Sequence, residues 1–593
     1  MNIQRAANHV TIQNLINCYI RETGKGQFIH REVLPIEQQS HIKTALLYKV
    51  TLANTILMFP VTYRSMTGRH LFGPSCFYQC ENHFYPLDYL TLLSLLKEEL
   101  QDRGMDELYL RVILSYQNIY TFLTKRSSHL EIYYKRNKTF IEAEQSLLIG
   151  HQMHPTPKSR QGISLEEEEV FAPELQGRFA LHYFYIHQQY IEERSAYSQS
   201  AVQLIKKEVR FDPEVSESFK EAYCQEDDYA LIPMHPLQAR HLLGQKEVTD
   251  LIHSGVLTYL GEVGTRYAAT SSVRTVYRED AKYMYKFSIP VKITNSVRVN
   301  KRKELERGVE VSQLLQSELG DDLKRMYPSF SVINDPAYIN IPLGNGESGF
   351  EVMIRENPFR NGYEHDVFLI AGLCQDHIEG KKATLTKIIE HIASQECISV
   401  QKASKKWFVA YLQHFLYPLV WLYTKYGIAL EAHQQNSVVK LNDQGYPRFV
   451  YYRDNQGYYF MESKAESLQG LLPSLNKHSD TICQDDVAKE RFIYYVFFNH
   501  LYGLINAFGT QGLCGEEELL TILKQDCQTL MLWEDHTELM KTILTSSSLA
   551  CKANLLTRVH DMDELVGDMA TQSVYVKTNN PIGEGERKHA TTS

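Results

Sequence analysis

The feature that most constrains the fold is segment 256–300, in which short apolar and aromatic runs alternate with polar residues. Runs at 256–260, 266–276, 283–289 and 291–297 predict an antiparallel sheet. Six polar side chains share one parity, apart from any slip at Pro290, and are expected on one face: Lys286, Ser288, Lys292, Thr294, Ser296 and Arg298. Such a cationic, hydroxyl-rich face is costly to bury without an anion, so the segment predicts an anion site or an ordinary solvated face.

The flanking patterns predict an α+β chain. In the first part of the chain, helices are expected at 8–21, at 86–127 with a break near Arg103 and Gly104, at 139–149, over most of 181–245 and at 301–327. From residue 384, helices are expected to dominate. They include a buried helix at 407–426 and further helices from 489 to about 570. Strand pairs are expected at 45–52 with 55–62, within 338–356, and at 436–441 with 448–452. The 593 residues are too many for one core and suggest two to four domains, with a boundary in the turn-rich stretch 151–162.

Composition excludes several classes of protein. The formal net charge is −9, which does not favour a general nucleic-acid binder. The ten cysteines include no CxxC pair, so structural zinc spacing is absent. The N-terminus has no apolar signal region, and no run of 18 apolar residues occurs. We therefore expect a cytoplasmic enzyme that binds neither membrane nor nucleic acid.

Two familiar nucleotide motifs do not apply. Residues 344–349 fit GxGxxG, but the residues that follow resemble a strand and not the helix that a Rossmann site requires. A hairpin turn is the better interpretation. The chain has no GxxxxGK[ST] loop and no HExxH motif.

Three other segments have residues suited to chemistry on phosphates. Residues 269–275 (ATSSVRT) place three hydroxyls and Arg274 close together, and Lys286 follows. The Pro-containing loop 150–162 carries His151, His154, Lys158 and Arg160; a phosphate-contacting loop and a purely structural turn are equally supported.

The third segment is 431–436 (EAHQQN), with Arg453 and Asp454 about twenty residues later. Glu431, Gln435 and Asp454 are oxygen donors suited to Mg²⁺, and His433 could contact a carboxylate. The predicted hairpin brings Glu431 and Asp454 to the same end of two paired strands. Together the three segments predict nucleotidyl or phosphoryl transfer.

In this order, the motifs GHxxHPxxKxRxG (150–162), ATSSxRT, EAHxQN and RDNxG resemble the NRPS-independent siderophore (NIS) synthetases, the aerobactin-synthetase-like enzymes. The resemblance covers about residues 8–581 and includes PMHPLQ at 233–238. It implies a cupped hand: a thumb at 1–150, fingers at 151–383 with the ATP loop and a mainly antiparallel sheet, a helix-rich palm at 384–580, and a flexible tail at 581–593. It also implies that ATP and a polycarboxylate, usually citrate, form an acyl-adenylate, which an amine, hydroxylamine or alcohol then attacks.

The resemblance assigns roles to the motif residues. The ATP-binding set is His154, Lys158, Ser271, Ser272, Arg274 and Lys286. The carboxylate is assigned to Thr294, Arg298 and His433, and Mg²⁺ to Glu431, Gln435 and Asp454, with Asn436 nearby. Arg298, His433 and Lys286 form the expected catalytic set.

Segments 140–148 and 549–558 are most similar to petrobactin-pathway enzymes that join citrate to spermidine, and Lys552 and Arg558 could reach citrate or form a surface charge pair. We therefore expect citrate and a polyamine as substrates and a homodimer. Two alternatives remain: a ligase acting on a citrate monoamide, and a non-catalytic regulator that binds nucleotide or citrate. A phosphotransferase forming ADP is more distant.

Overall fold

The computed structural model describes residues 2–34, 39, 42–81, 83–101, 104–294, 296–344, 346–454, 456–532, 537–560, 562 and 573–584. Helices alternate with mainly antiparallel sheets, which confirms the predicted mixed class. Within the described residues, no helix combines the length and apolarity needed to cross a bilayer.

The N-terminal part has the predicted helices and strand pair, and the helices pack against one sheet. Its first helix, Ile3–Thr23, begins where the Asn2 side chain accepts from the N–H of Arg5, and it ends at Gly24 with φ 67°. The strands are Gln27–His30, Leu46–Thr51, Ile56–Tyr63, Leu71–Phe72, Phe77–Cys80 and His83–Pro86. The later helices are Tyr89–Leu100, Met105–Arg126, Leu130–Tyr133 and Phe140–Glu144. Arg103, at the predicted helix break, lies outside the described residues.

The prediction that residues 181–245 are mainly helical is wrong in part. Three strands lie there or overlap it: Arg178–His187, Glu192–Ser195 and Tyr229–Met234. The last is buried along nearly its whole length, so it reads as an unbroken apolar run, which periodicity cannot distinguish from a buried helix. The helices of this part are Leu165–Phe171, Ala201–Phe211, Glu217–Tyr223, Pro236–Leu243 and Lys246–His253.

An eight-stranded antiparallel sheet, the large sheet, forms the centre of the molecule. Its strands in spatial order are Tyr229–Met234, Arg178–His187, Leu257–Ala269, Thr275–Tyr277, Tyr283–Phe287, Val352–Glu356, Ala337–Asn340 and Glu192–Ser195. This confirms antiparallel strands within 256–287 and the hairpin of 338–356. The predicted runs 256–260 and 266–276 are not two separate strands, because one strand extends over Leu257–Ala269 and a turn precedes Thr275–Tyr277. The GxGxxG stretch connects two antiparallel strands, so it is not a Rossmann loop; Asn345 within it lies outside the described residues.

The prediction that Lys286 to Arg298 line a single sheet face is wrong. Lys286 belongs to the large sheet, whereas Lys292–Ile293 and Ser296–Val297 form a hairpin that pairs with Arg160–Gln161 in a separate three-stranded sheet. Pro290 cannot donate to a ladder, and the chain changes sheets at this point. This small sheet, the loop sheet, therefore joins the 292–297 hairpin to the 150–162 loop.

The C-terminal part is helix-rich, as predicted. Strands Phe330–Ile333, Pro447–Arg453, Ser437–Leu441 and Val367–Leu369 form one sheet, and Ile428–Leu430, Tyr458–Met461 and Ile482–Cys483 form another. The helices are Arg302–Leu314, Glu318–Met326, Ile370–Leu373, Thr384–Gln395, Val400–Tyr426, Ala465–Leu471, Asp485–Phe492, Tyr502–Thr510, Glu516–Met531, Thr537–Thr545 and Asn554–Val559. Short 3-10 turns are Arg31–Val33, Ser127–His129, Pro173–Leu175, Gln188–Tyr190 and Glu462–Lys464.

Two features of this part were not predicted. Residues Ile493–Leu501 form a π-helix, and strand Ser548–Lys552, in a region expected to be helical, pairs antiparallel with Tyr575–Asn579 beyond helix Asn554–Val559. Of the predicted flexible tail, Ile582 is buried in the C-terminal core, and 585–593 lie outside the described residues.

Three main apolar clusters form the core. One belongs to the N-terminal part, with Leu555 and Val559 added from the far end of the chain. A second fills the large sheet and its helices. The third extends from Val311 to Ile582, so residues 311–332 pack with the C-terminal helices. The thumb, fingers and palm boundaries at 150, 383 and 580 stay predictions.

Candidate active site

One cavity of about 360 Å³ lies where the large sheet, the loop sheet and the C-terminal part meet. All of the predicted site residues line it: His154, Lys158, Ser271, Ser272, Arg274, Lys286, Thr294, Arg298, Glu431, His433, Gln435 and Asp454. They come from positions nearly 300 residues apart in sequence. The size is in the usual range for a small-molecule site.

The cavity is strongly cationic. Among the described residues, eleven Lys and Arg side chains line it against three carboxylates, Glu304, Glu431 and Asp454. Several cations have carboxylate partners behind the wall, such as Arg355 with Asp335 at 2.6 Å. The remaining excess of positive charge favours an anionic ligand.

The 270–275 segment is a tight turn between two strands of the large sheet. The Thr270 hydroxyl donates to the carbonyl of Thr275 at 2.8 Å, and Ser272 Oγ accepts from the N–H of Thr275 at 3.1 Å. Val273, at the turn, has φ 67°, which is unfavourable for a β-branched residue, and its side chain is buried in the core. The turn thereby presents Ser271, Ser272 and Arg274 to the cavity.

Glu144 and Arg453 hold this turn, and neither was assigned a role from the sequence. The Glu144 carboxylate accepts from the N–H of Ser271 at 2.9 Å and pairs with Arg453 at 2.7 Å. Arg453 also donates to the carbonyl of Gln435 at 3.1 Å. Arg453 precedes the predicted Asp454, but its partner Glu144 carried no motif signal that identified it.

The 150–162 loop is anchored by a buried charge cluster. Lys158 Nζ lies 2.5 Å from both Glu174 Oε1 and the carbonyl of Leu147, and Arg160 pairs with Glu174 at 2.8 Å and Glu168 at 2.6 Å. Lys158 thus lines the cavity but already has a carboxylate partner. Its contact with ATP stays a prediction, and a phosphate would have to compete with Glu174.

The 292–297 hairpin carries Thr294, and Arg298 follows it directly. Arg298 donates to Thr294 Oγ1 at 3.1 Å and to the carbonyl of Ile293 at 3.0 Å. Thr294 has φ 52°, and its backbone is held by Arg111, which donates to its carbonyl at 2.7 Å, and by the carbonyl of Ser159 at 3.2 Å. A strained backbone fixed by several contacts is typical of a preorganised site.

His433 is oriented by its own turn. Its Nδ1 lies 3.2 Å from the N–H nitrogen of Gln435 and 3.3 Å from that of Asn436, so Nδ1 accepts and Nε2 carries the proton. Burial lowers the pKa of His433 to about 4. The neutral ring therefore presents Nε2–H to the cavity.

A prediction follows for His433. Because its pKa is about 4, we expect no activity transition from this ring between pH 6 and 8. Replacing it with alanine should lower the adenylation rate at least tenfold, and His433→Gln, which retains an N–H donor, should lose less. Initial rates from pH 5.5 to 8.5 in the three proteins check this. A transition near pH 6.5 that disappears in His433→Gln would contradict it.

The acidic residues lie together, as the predicted hairpin requires. The Asn436 amide donates to the carbonyl of Glu431 at 3.1 Å and to Asp454 Oδ2 at 3.3 Å. Lys286 Nζ is 3.2 Å from Asp454 Oδ1. Burial would raise the pKa of Asp454, but Lys286 and Arg355 outweigh it and keep the carboxyl ionised. In the described part of the chain, no group of three or more His, Cys, Asp and Glu forms a metal cluster.

The π-helix adds residues to the cavity that the sequence did not indicate, among them Tyr494, Tyr495 and Asn499. Lys552 does line the cavity, but from a strand and not from a helix. Arg558 is buried in helix Asn554–Val559 and is not part of the wall.

Comparison with known proteins gives a consistent result. The chain is 45% identical over 593 residues to a spermidine-citrate ligase of Bacillus anthracis, covering 98% of each chain. It is 34% identical to the rhizobactin siderophore biosynthesis protein RhbC of Rhizobium meliloti, covering 99% of each. The IucA / IucC family model matches residues 139–375. The chain belongs to the IucA/IucC family.

The family is the one that the motifs predicted. A second model, described as a ferric iron reductase FhuF-like transporter, matches residues 405–567. The solved structure of ATP-bound aerobactin synthetase IucA from Klebsiella pneumoniae superposes with a TM-score of 0.87 at 25% identity, covering 97% of this chain and 100% of that one. The IucA/IucC fold thus spans nearly the whole chain.

Proposed function

We propose that this IucA/IucC-family chain is an ATP-dependent, AMP-forming ligase that joins citrate to spermidine or a similar polyamine in siderophore biosynthesis. The observation that carries the proposal is the cationic cavity lined by the 270–275 turn, the 292–297 hairpin and the 431–454 hairpin. The 45% identity to a spermidine-citrate ligase supports the choice of substrates.

In the ATP half, Ser271, Ser272 and Arg274 would bind the phosphates with His154, Lys158 and Lys286. Burial and neighbouring Arg298 lower the pKa of Arg274 to about 10, so it stays charged at neutral pH. Burial lowers the pKa of Lys286 to about 8, with Asp454 opposing the shift. The ATP-bound state of the similar IucA structure supports a nucleotide here.

The donors also fit Mg²⁺ accompanying a nucleotide, which typically takes one or two protein carboxylates and completes its shell with phosphates and water. The fit rests on the Glu431 and Asp454 carboxylates, which line the same cavity as Gln435; Asn436 joins the backbone carbonyl of Glu431 to Asp454 Oδ2. Bound there, the ion would neutralise phosphate charge.

In the carboxylate half, Thr294, Arg298 and His433 would hold citrate. A citrate carboxylate oxygen attacks the α-phosphorus of ATP, an O–P bond forms, and pyrophosphate leaves. The amine nitrogen then attacks the acyl carbon, an amide forms, AMP leaves, and the nitrogen loses a proton. Arg298 would stabilise negative charge during the first step, and His433 would orient the carboxylate through Nε2–H.

The test is an AMP-release assay with ATP and citrate against polyamines, diamines and hydroxylamines. We expect AMP and pyrophosphate with citrate and spermidine, and less with other amines. Faster turnover with a citrate monoamide would identify the later condensation step instead. ADP formation, or ATP binding with neither AMP nor pyrophosphate, would contradict the proposal.

Three further predictions belong to this proposal. We expect a cytoplasmic homodimer, and we expect the three parts of the chain to form the thumb, fingers and palm of a cupped hand. Light scattering of the purified protein and limited proteolysis near 150 and 383 test the dimer and the boundaries.

A further inference from the structure

The π-helix Ile493–Leu501 is the least expected element near the cavity. Helices closed by i→i+5 bonds are rare, usually form a single turn, and occur often at functional sites. This one extends over nine residues between two α-helices.

Its winding changes which residues share a face. An α-helix turns about 100° per residue, which would spread Tyr494, Tyr495, Asn499 and His500 over about 240°. A helix with i→i+5 bonds turns roughly 80° per residue and collects the same four within about 120°. The first three line the cavity, and His500 lies directly behind it.

His500 contacts the turn that carries His433. Its Nδ1 lies 2.8 Å from the carbonyl oxygen of Ala432, and its Nε2 lies 2.7 Å from Tyr411 OH. A carbonyl can only accept, so Nδ1–H donates to Ala432 and Nε2 accepts from Tyr411. The ring is completely buried and stacks on Phe415 at 3.9 Å.

Asn499 contacts two site segments at once. Its Oδ1 accepts from the N–H of Gln434 at 3.2 Å, and its amide nitrogen contacts His151 Nε2. The pair Asn499 and His500 therefore touches the backbone on both sides of His433 and also reaches the 150–162 loop.

We propose that Asn499 and His500 are positioning residues for the carboxylate-binding turn 431–436, held in register by the π-helix. This inference rests on the proposed function. His500 fixes Ala432 from behind, and Asn499 fixes Gln434 and links the turn to His151. Without these contacts, the His433 imidazole would be chemically unchanged, but its Nε2–H would no longer be oriented towards the carboxylate.

The first test replaces His500 with leucine, which fills space but neither donates nor accepts, and with asparagine, whose amide can still donate to Ala432. Citrate KM and the adenylation rate are measured by pyrophosphate release, together with ATP KM and thermal melting. We expect His500→Leu to raise citrate KM at least fivefold and to lower kcat, with ATP KM within twofold of wild type. His500→Asn should reverse at least half of the changes in citrate KM and kcat, compared on a logarithmic scale.

Two further variants keep the test decisive. His377→Leu is the matched control, because this buried histidine stacks on Tyr134 and does not contact the 431–436 turn; it should leave citrate KM unchanged. Asn499→Ala should raise citrate KM even if His500→Leu fails to fold.

Unchanged citrate KM in folded Asn499→Ala or His500→Leu would overturn the inference, as would an equal rise in citrate and ATP KM. Failure of the proposed function is distinguishable, because the wild-type protein would then release no pyrophosphate with citrate.

Discussion

Replacing Arg298 with alanine is expected to slow citrate adenylation about 100- to 1000-fold, from the loss of about 2.7–4 kcal/mol of transition-state stabilisation. Arg298 lines the cavity directly after the 292–297 hairpin and donates to Thr294 Oγ1 at 3.1 Å. The guanidinium is thus oriented before substrate binds, which is the condition for a large electrostatic effect.

The measurement is pyrophosphate release at saturating ATP and citrate, without amine, so that only the first step is observed. Arg298→Lys should retain little activity, because a lysine cannot reproduce the planar fork of donors. Arg266→Ala is the control: this exposed arginine lies on a strand of the large sheet but is absent from the cavity wall. A folded Arg298→Ala protein with a rate within threefold of wild type would remove Arg298 from the mechanism.

The sequence predicted which residues share one cavity better than it predicted their arrangement. The motif segments converge on one cavity. The sequence indicated this because segments so rich in hydroxyls, cations and carboxylates are hard to explain separately. The single cationic sheet face was wrong, since strand parity continues only while the chain stays in one sheet, and Pro290 ends that continuity. Instead, Lys286 lies in the large sheet and Thr294 in the 292–297 hairpin, and both line the cavity.

The residues that were missed act through long-range packing. Asn499 and His500 reach the site only because their helix is wound as a π-helix, and a helical pattern at 3.6 residues per turn gives no sign of that. Strand Tyr229–Met234 was not predicted because burial along nearly its whole length removes the two-residue alternation of polar and apolar side chains.

The acidic run 166–169 shows the same limit on a smaller scale. Such a run of charges typically predicts a solvated helix face, and Glu169 is exposed as that pattern predicts. Glu168, however, is buried and pairs with Arg160 at 2.6 Å. Composition shows that a helix is acidic, but only the packed partner shows which carboxylate points inward. The partner here belongs to the 150–162 loop, so this helix supports the site.

Removing the Glu174 carboxylate is expected to lower the free energy of unfolding by about 3–5 kcal/mol, the usual cost of leaving buried charge unpaired. Glu174 is 1% exposed and contacts Lys158 and Arg160, which are themselves buried. Glu174→Gln keeps the shape but leaves two cations with Glu168 as their remaining carboxylate in this cluster. Urea and thermal unfolding measure the loss. Glu169→Ala, which breaks an exposed pair with Lys125, should change stability by less than about 0.5 kcal/mol.

Two further measurements separate charge from packing. Adding Lys158→Met to Glu174→Gln removes one unpaired cation, so the double variant should be less destabilised than the sum of the single variants.

The second measurement is the dependence of unfolding on pH. Burial would raise the pKa of Glu174, but Arg160 and Lys158 outweigh it and lower it to about 2, below the ordinary value of 4.5. Its stabilisation is therefore complete above about pH 4.5 and is lost as the pH falls towards 2, so the difference between wild type and Glu174→Gln should shrink over that interval. A difference that stays constant down to pH 3 would show that packing, and not charge, accounts for the loss.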